Sequence, residues 1–267
     1  MVDEEALGRA VTQDPDAVLA LLADMTHATD EALRAAARRL AGQLVLERAR
    51  GGPARRAGSR RLRPVPADRG GDLDVDASLD ALVEARAEAR PASLEHLVAR
   101  DWGRPGMALV VLVDRSGSMA GGRLAVAALT AAACALRAPD DHAVLAFAKD
   151  VQVLRPMDGA GRPGAVVQAV LGLRGHGETS LTAALDEALV QLGRSRADRK
   201  VVLLLSDCRA SEGQDAAPSA RLLPELIVLA PADDCDQAQD LARRAGARWA
   251  AVSGPSQVPA LLDHLLA

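Results

Sequence analysis

A chain of 267 residues is long enough to bury a full core, and its formal net charge of −4 gives no global basic field for nucleic acid. Aromatic residues make up only 1 % of it (Phe147, Trp102, Trp249, no tyrosine), so the core must be Ala, Val and Leu, and ring-stacking surfaces for bases or sugars are argued against. Cys134, Cys208 and Cys235 form no paired framework and no CxxC, which points to a reducing, cytoplasmic setting; the acidic start MVDEEALGRA lacks a signal-peptide pattern, and no apolar run reaches the ~18 residues of a membrane span.

Residues 1–49 read as a helical region. Val18, Leu19, Leu21 and Leu22 have helical spacing, and Thr29–Asp30 offer an N-cap for a second helix. In it Leu33, Ala37, Leu40, Leu44 and Leu46 recur near a 3.6-residue period. Residues 50–75 break the composition with GGPARRAGSRRLRPVPADRGGD, read as an Arg/Gly/Pro-rich linker or a basic arm that assists docking on an acidic surface. Residues 76–104 read as a helical segment leading into the core.

From 105 to 267 short apolar runs alternate with amphipathic stretches, the pattern of an α/β, doubly wound, mostly parallel sheet. Met107–Val113 is apolar at every position and ends in Asp114, as expected of a strand buried on both faces. Gly122–Arg137 is an alanine-rich helix, and His142–Ala148 and Val151–Leu154 are strands joined by a short turn, the second at an antiparallel edge. Two helices follow, then the apolar strand KVVLLLS at 200–206, ending in Asp207. A strand at 225–230, a helix, a strand at 248–252 and a helix starting near Pro255 complete about six strands.

Ligands of such sheets bind where loops leave the carboxyl ends of the strands. Three polar segments fall there: Asp114-Arg115-Ser116-Gly117-Ser118, Gly175-His176-Gly177-Glu178-Thr179-Ser180, and Ser206-Asp207-Cys208. All their ligand atoms are hard oxygens, which suit Mg²⁺ or Mn²⁺. Side chains two apart in an extended loop share a side, so Asp114, Ser116 and Ser118 can converge on one point, with Thr179 and Asp207 closing the ring. So few negative charges hold a dication loosely and leave a position for an external carboxylate. Arg115, His176 and Glu178 stand beside this set as candidate ligand contacts.

These residues carry a resemblance. DxSxS after a buried strand, a Thr in a glycine-rich loop and an Asp after a second buried strand resemble the metal ion-dependent adhesion site of von Willebrand factor A domains, as does AFAKDVQVL at 146–154. The resemblance covers about 160 residues and implies a Rossmann-like fold. It implies a site made of Asp114, Ser116, Ser118, Thr179 and Asp207 that binds an acidic residue of a partner protein. Cys208 departs from the glycine common at its position. The helices, the Arg-rich segment, GDLDVDASLDAL and RPGMALVVLVDRSGSM resemble bacterial CoxE-like and chelatase-D-like proteins, and the abundant Ala, Arg, Asp and Gly suits a GC-rich bacterial genome. Such proteins typically work with MoxR-type AAA ATPases, so the implied partner is that ATPase or its client, with no nucleic acid or membrane involved. The chain has no Walker A motif, so ATP hydrolysis would belong to another chain.

An enzyme is the main alternative. An aspartate after the first strand also begins haloacid dehalogenase-type phosphatases, but those need an acid two residues on, where Ser116 stands. DRSGS is not the GxSxG of a serine hydrolase. A metal-free scaffold that keeps only the fold is the third reading.

Overall fold

The computed structural model describes residues 4–50, 61–70, 72–103, 106–116, 121–159, 162–175, 178–209 and 215–267. The chain forms two compact units, one made of residues 1–54 with 107–267, the other of residues 55–106.

The first unit begins with α1 (Glu4–Gln13), α2 (Pro15–Met25) and α3 (Glu31–Arg50). Asp14 caps α2, its carboxylate accepting from the Ala17 N–H at 3.0 Å, and Pro15 follows at the position where a missing N–H costs nothing. Asp30 accepts from the Leu33 N–H at 2.8 Å at the start of α3, one residue from the expected start.

The second unit holds β1 (Arg61–Pro66), β2 (Asp72–Leu73), α4 (Leu79–Ala87) and β3 (Val98–Gly103). Its strands form an antiparallel sheet in the order β1-β3-β2. Here the elements differ from the sequence reading: strand replaces linker at 61–66, and the helix expected to run to about 100 ends at Ala87. The reason is placement. Pro64 and Pro66 cannot donate to a ladder, so the composition reads as irregular, yet β1 is an edge strand, where proline is tolerated. The Ala, Glu and Arg of 84–90 continue a helical composition past the point where Ala89 turns to a positive φ of 51°.

The first unit continues with β4 (Met107–Asp114), α5 (Gly121–Arg137), β5 (His142–Phe147), β6 (Val151–Arg155), α6 (Pro163–Leu171), α7 (Leu181–Gly193), β7 (Arg199–Leu205), α8 (Ala217–Leu222), β8 (Leu226–Pro231), α9 (Asp236–Ala245), β9 (Arg248–Val252) and α10 (Val258–Leu265). The sheet order is β6-β5-β4-β7-β8-β9, parallel throughout except for β6, which pairs antiparallel to β5 at the edge. The expected doubly wound α/β architecture is therefore present.

β4 is central, and its alternation divides the core. Leu109, Val111 and Val113 join one apolar cluster with α2, α3, α5, α6 and α10, while Ala108, Val110 and Leu112 join the other with α7, α8 and α9. Alanine explains how a chain almost without aromatic rings packs this way. On α5, Ala125, Ala127, Ala128, Ala131, Ala132 and Ala133 are all buried, so neighbours can approach from every side. The sheet covers one side of α5 and α2, α3 and α6 cover the others, so the N-terminal helices form an added layer outside the sheet. Among the described residues no helix is long and apolar enough to cross a membrane.

Candidate functional site

The site is set by the pairing of β4 with β7. Val113 lies opposite Leu205 in the parallel ladder, so the chain leaves the two strands side by side at Asp114 and Ser206. The Ser206 hydroxyl donates to Asp114 Oδ2 at 2.6 Å, and Ser206 Oγ accepts from the Cys208 N–H at 2.8 Å. Asp114 Oδ1 accepts from the Ser116 N–H at 2.8 Å, and the Ser116 hydroxyl also donates to the carboxylate. The first loop thus curls back over its own aspartate, and the third loop is latched to it.

The end of β5 brings in the second loop. Its consecutive carbonyls at Phe147 and Ala148 accept from the N–H groups of Arg115 and Ser180, both at 2.8 Å. Residues 114–116 and 179–180 are held by one strand end in this way. Thr179, Asp114 and Asp207 are all buried, at 2 %, 2 % and 8 % exposure, which is unusual for polar side chains at a loop. Ser118 and His176 lie outside the described residues. Glu178 is exposed and Arg115 half-buried, with the Arg115 Nε enclosed and lacking a hydrogen-bond partner among the described residues.

Burial pushes the Asp114 carboxyl above its ordinary value, its hydrogen bonds from Ser206 and Ser116 oppose this, and the nearby Asp207 pushes it further up. Two carboxylates in a dry place repel each other; Arg123, 4.0 Å from Asp207, offsets part of this, and a bound dication would offset more. The donors Asp114, Ser116, Thr179, Ser206 and Asp207 supply oxygen only. The residues present therefore fit a hard divalent cation.

Sequence reasoning gave two residues here no role. Ser206 is the final residue of an apolar run, and only the strand register shows that it faces Asp114. Arg123, in the first turn of α5, reaches to 4.0 Å from Asp207 Oδ2 and 3.5 Å from Asp233 Oδ2. It lines a cavity of about 430 Å³ beside Asp114 and Asp207, walled by Val126, Leu229 and Val252 at the carboxyl ends of the strands.

No curated protein matches the chain. Among solved structures, BatB of Bacteroides thetaiotaomicron, a conserved hypothetical protein, is similar with a TM-score of 0.50 and 14 % identity over 60 % of this chain and 97 % of its own. The proximal thread matrix protein 1 of the mussel byssus gives 0.50 and 13 %, covering 60 % and 46 %. A von Willebrand factor type A protein of Catenulispora acidiphila gives 0.48 and 17 %, covering 63 % and 43 %. The chain thus spans under half the length of these last two. The family model of the von Willebrand factor type A domain matches residues 109–211, a segment that runs from β4 past the third loop and includes every candidate ligand, so it is over this segment that the chain matches a von Willebrand factor type A domain.

Proposed function

We propose that this chain is a metal-dependent recognition module in which Asp114, Ser116, Ser118, Thr179 and Asp207 hold Mg²⁺ or Mn²⁺, Asp207 directly or through water. The observation that carries the reading is the buried Asp114, held by Ser206 and Ser116 beside Asp207 at the end of the central strand. The metal would supply an electrophilic position for an external carboxylate. The protein's own part is to orient the oxygens and to keep water from Asp114 and Thr179. An acidic side chain on a partner protein then completes the site. An adaptor role beside a MoxR-type AAA ATPase, in the cytoplasm, is the form of this function that the layout of motifs favours, with recognition rather than catalysis as its task.

Calorimetry with Mg²⁺ and Mn²⁺ on the wild type and Asp114→Ala tests the site, the variant being expected to give no specific heat. A pull-down from host extract, with and without EDTA and with Ser116→Ala/Ser118→Ala, tests the role. Loss of the captured ATPase or client in both arms supports the reading, and unchanged capture refutes it. Divalent-dependent turnover of a phosphoester would replace it with an enzyme.

A further inference from the structure

The groove between α3 and α6 has no part in the metal site. It has a volume of about 730 Å³ and is lined by Arg34, Arg38 and Arg39 of α3 and by Arg174 beyond α6, with Glu31 the only acid in its wall among the described residues. The chain as a whole is acidic, so this concentration of guanidinium groups is local. Arg34 and Arg38 are one helical turn apart, a spacing at which like charges repel. Glu31 offsets this weakly, since its carboxylate is 3.9 Å from Arg34 and 90 % exposed. Arg38 Nε is enclosed and has no hydrogen-bond partner among the described residues. A buried donor left without an acceptor is costly, and the guanidinium it belongs to keeps its full charge in the wall of the groove. The field is felt next door, where burial and then Arg174 and Arg38 push the His27 imidazole below its ordinary value.

Apart from Leu46, the rest of the lining is polar or small. The Gln168 amide donates across the groove to the Arg38 carbonyl at 2.9 Å, an approach that Gly42 permits, since a Cβ there would stand 2.4 Å from Gln168 Nε2. Gln43 offers an amide and Gln168 its amide oxygen to a peptide backbone, and Leu46 offers an apolar contact. No aromatic ring lines it for base stacking. Arg174 lies five residues before Thr179 in the chain.

We propose that this groove binds an acidic peptide segment of a partner protein, with two or more carboxylates paired to Arg34, Arg38, Arg39 and Arg174. The proposal deepens the recognition reading, since one acidic partner would occupy both the groove and the metal site, but the groove binds its segment without metal.

The test is fluorescence anisotropy of labelled hexaglutamate on the full chain in EDTA. The wild type is expected to bind, more weakly as salt rises. Arg38→Glu and the exposed pair Arg39→Glu/Arg174→Glu are each expected to lose about tenfold or more, and Asp114→Ala to bind as wild type. The melting temperature of the exposed pair is measured beside its binding, so that loss of binding by the folded variant is told apart from unfolding. Failure of wild type to bind, or undiminished binding by the exposed pair, which would assign the peptide to the arginines of 55–69, overturns the proposal. So does displacement by tripolyphosphate or duplex DNA at lower concentration than by unlabelled hexaglutamate. Loss of metal heats with peptide binding intact would sink the metal reading and leave the groove standing.

Discussion

Asp24, in the last turn of α2, accepts a 2.7 Å hydrogen bond from the backbone N–H of Gly121, the first residue of α5. A helix N-terminus leaves its first N–H groups without intrahelical partners and carries partial positive charge, and here a carboxylate 97 residues away answers both. Gly121 has φ of 50°, and a Cβ there would stand 3.1 Å from Asp24 Oδ2. Nearby, the Thr26 hydroxyl donates to the Leu171 carbonyl at 3.0 Å, at the end of α6 and ahead of the second loop. The N-terminal helices thus fix the exit of the first loop and the approach to the second.

Asp24→Ala should therefore act at a distance. Loss of a capping carboxylate costs about 0.5–2 kcal/mol, read as a fall in melting temperature of the metal-free protein. Because α5 starts three residues after Ser118, Mn²⁺ affinity should fall as well, by the ~10–100-fold typical of groups that orient ligands. Calorimetry showing unchanged Mn²⁺ affinity would mean that the first loop holds its own geometry.

Ser206→Ala removes the donor to Asp114 Oδ2 and the acceptor for the Cys208 N–H together. Leaving buried polar groups unmatched costs about 1–3 kcal/mol, measurable by urea unfolding. Mn²⁺ binding should weaken too, since Asp114 loses the contact that orients it. A variant as stable as wild type that binds Mn²⁺ equally would show that the latch between the loops is dispensable.

The contrast between Asp114 and Ser206 shows what was legible in sequence. A strand buried on both faces is a continuous apolar run, so β4 and β7 announce themselves, and Asp114 and Asp207 stand out as the first charged residues after those runs. Ser206 looks like the tail of such a run because its role depends on register with a strand 92 residues earlier. β1 and β3 were hidden for a different reason: edge-strand prolines and a short central strand leave neither alternation nor a long run. The N-terminal helices were legible as helices, but their contact with the metal loops rests on Asp24 and Thr26, polar residues near a helix end that otherwise read as ordinary caps.

His142 should make stability depend on pH. It is buried at the start of β5, one ring nitrogen bonds the Ala138 carbonyl at 2.7 Å, and Nε2 has no partner among the described residues. Burial and then Arg155 push its pKa below the ordinary 6.5. The unfolded chain therefore binds more protons than the folded one just below pH 6.5, and stability, fully present above that value, is lost as pH falls towards the folded pKa. His27, also lowered, acts in the same direction. Urea unfolding from pH 7.5 to 5 should show a slope of at most about 1.4 kcal/mol per pH unit for each histidine, shallower in His142→Asn. Parallel profiles for the two proteins would show that His142 is not the group responsible.

Cys208 tests how much strain the third loop stores. Its φ is 60°, a left-handed conformation that costs an L-residue about 1–2 kcal/mol, and its side chain is 8 % exposed against the core of α7 and α8. Cys208→Gly relieves the strain and forfeits the small buried side chain, so the two effects should nearly cancel, leaving stability within about 1 kcal/mol of wild type. Cys208→Val keeps the burial but places a β-branched residue at that φ, and should lose about 2 kcal/mol or more. The same burial makes the thiol inert: Cys208 and Cys134 are both pushed up to about 12 by desolvation, whereas Cys235 is only half-buried. At pH 8 a thiol reagent should modify Cys235 quickly in the folded protein and the other two only after unfolding. Rapid native labelling of Cys208, read by peptide mass mapping, would mean that the third loop opens far more often than its hydrogen bonds to Ser206 imply.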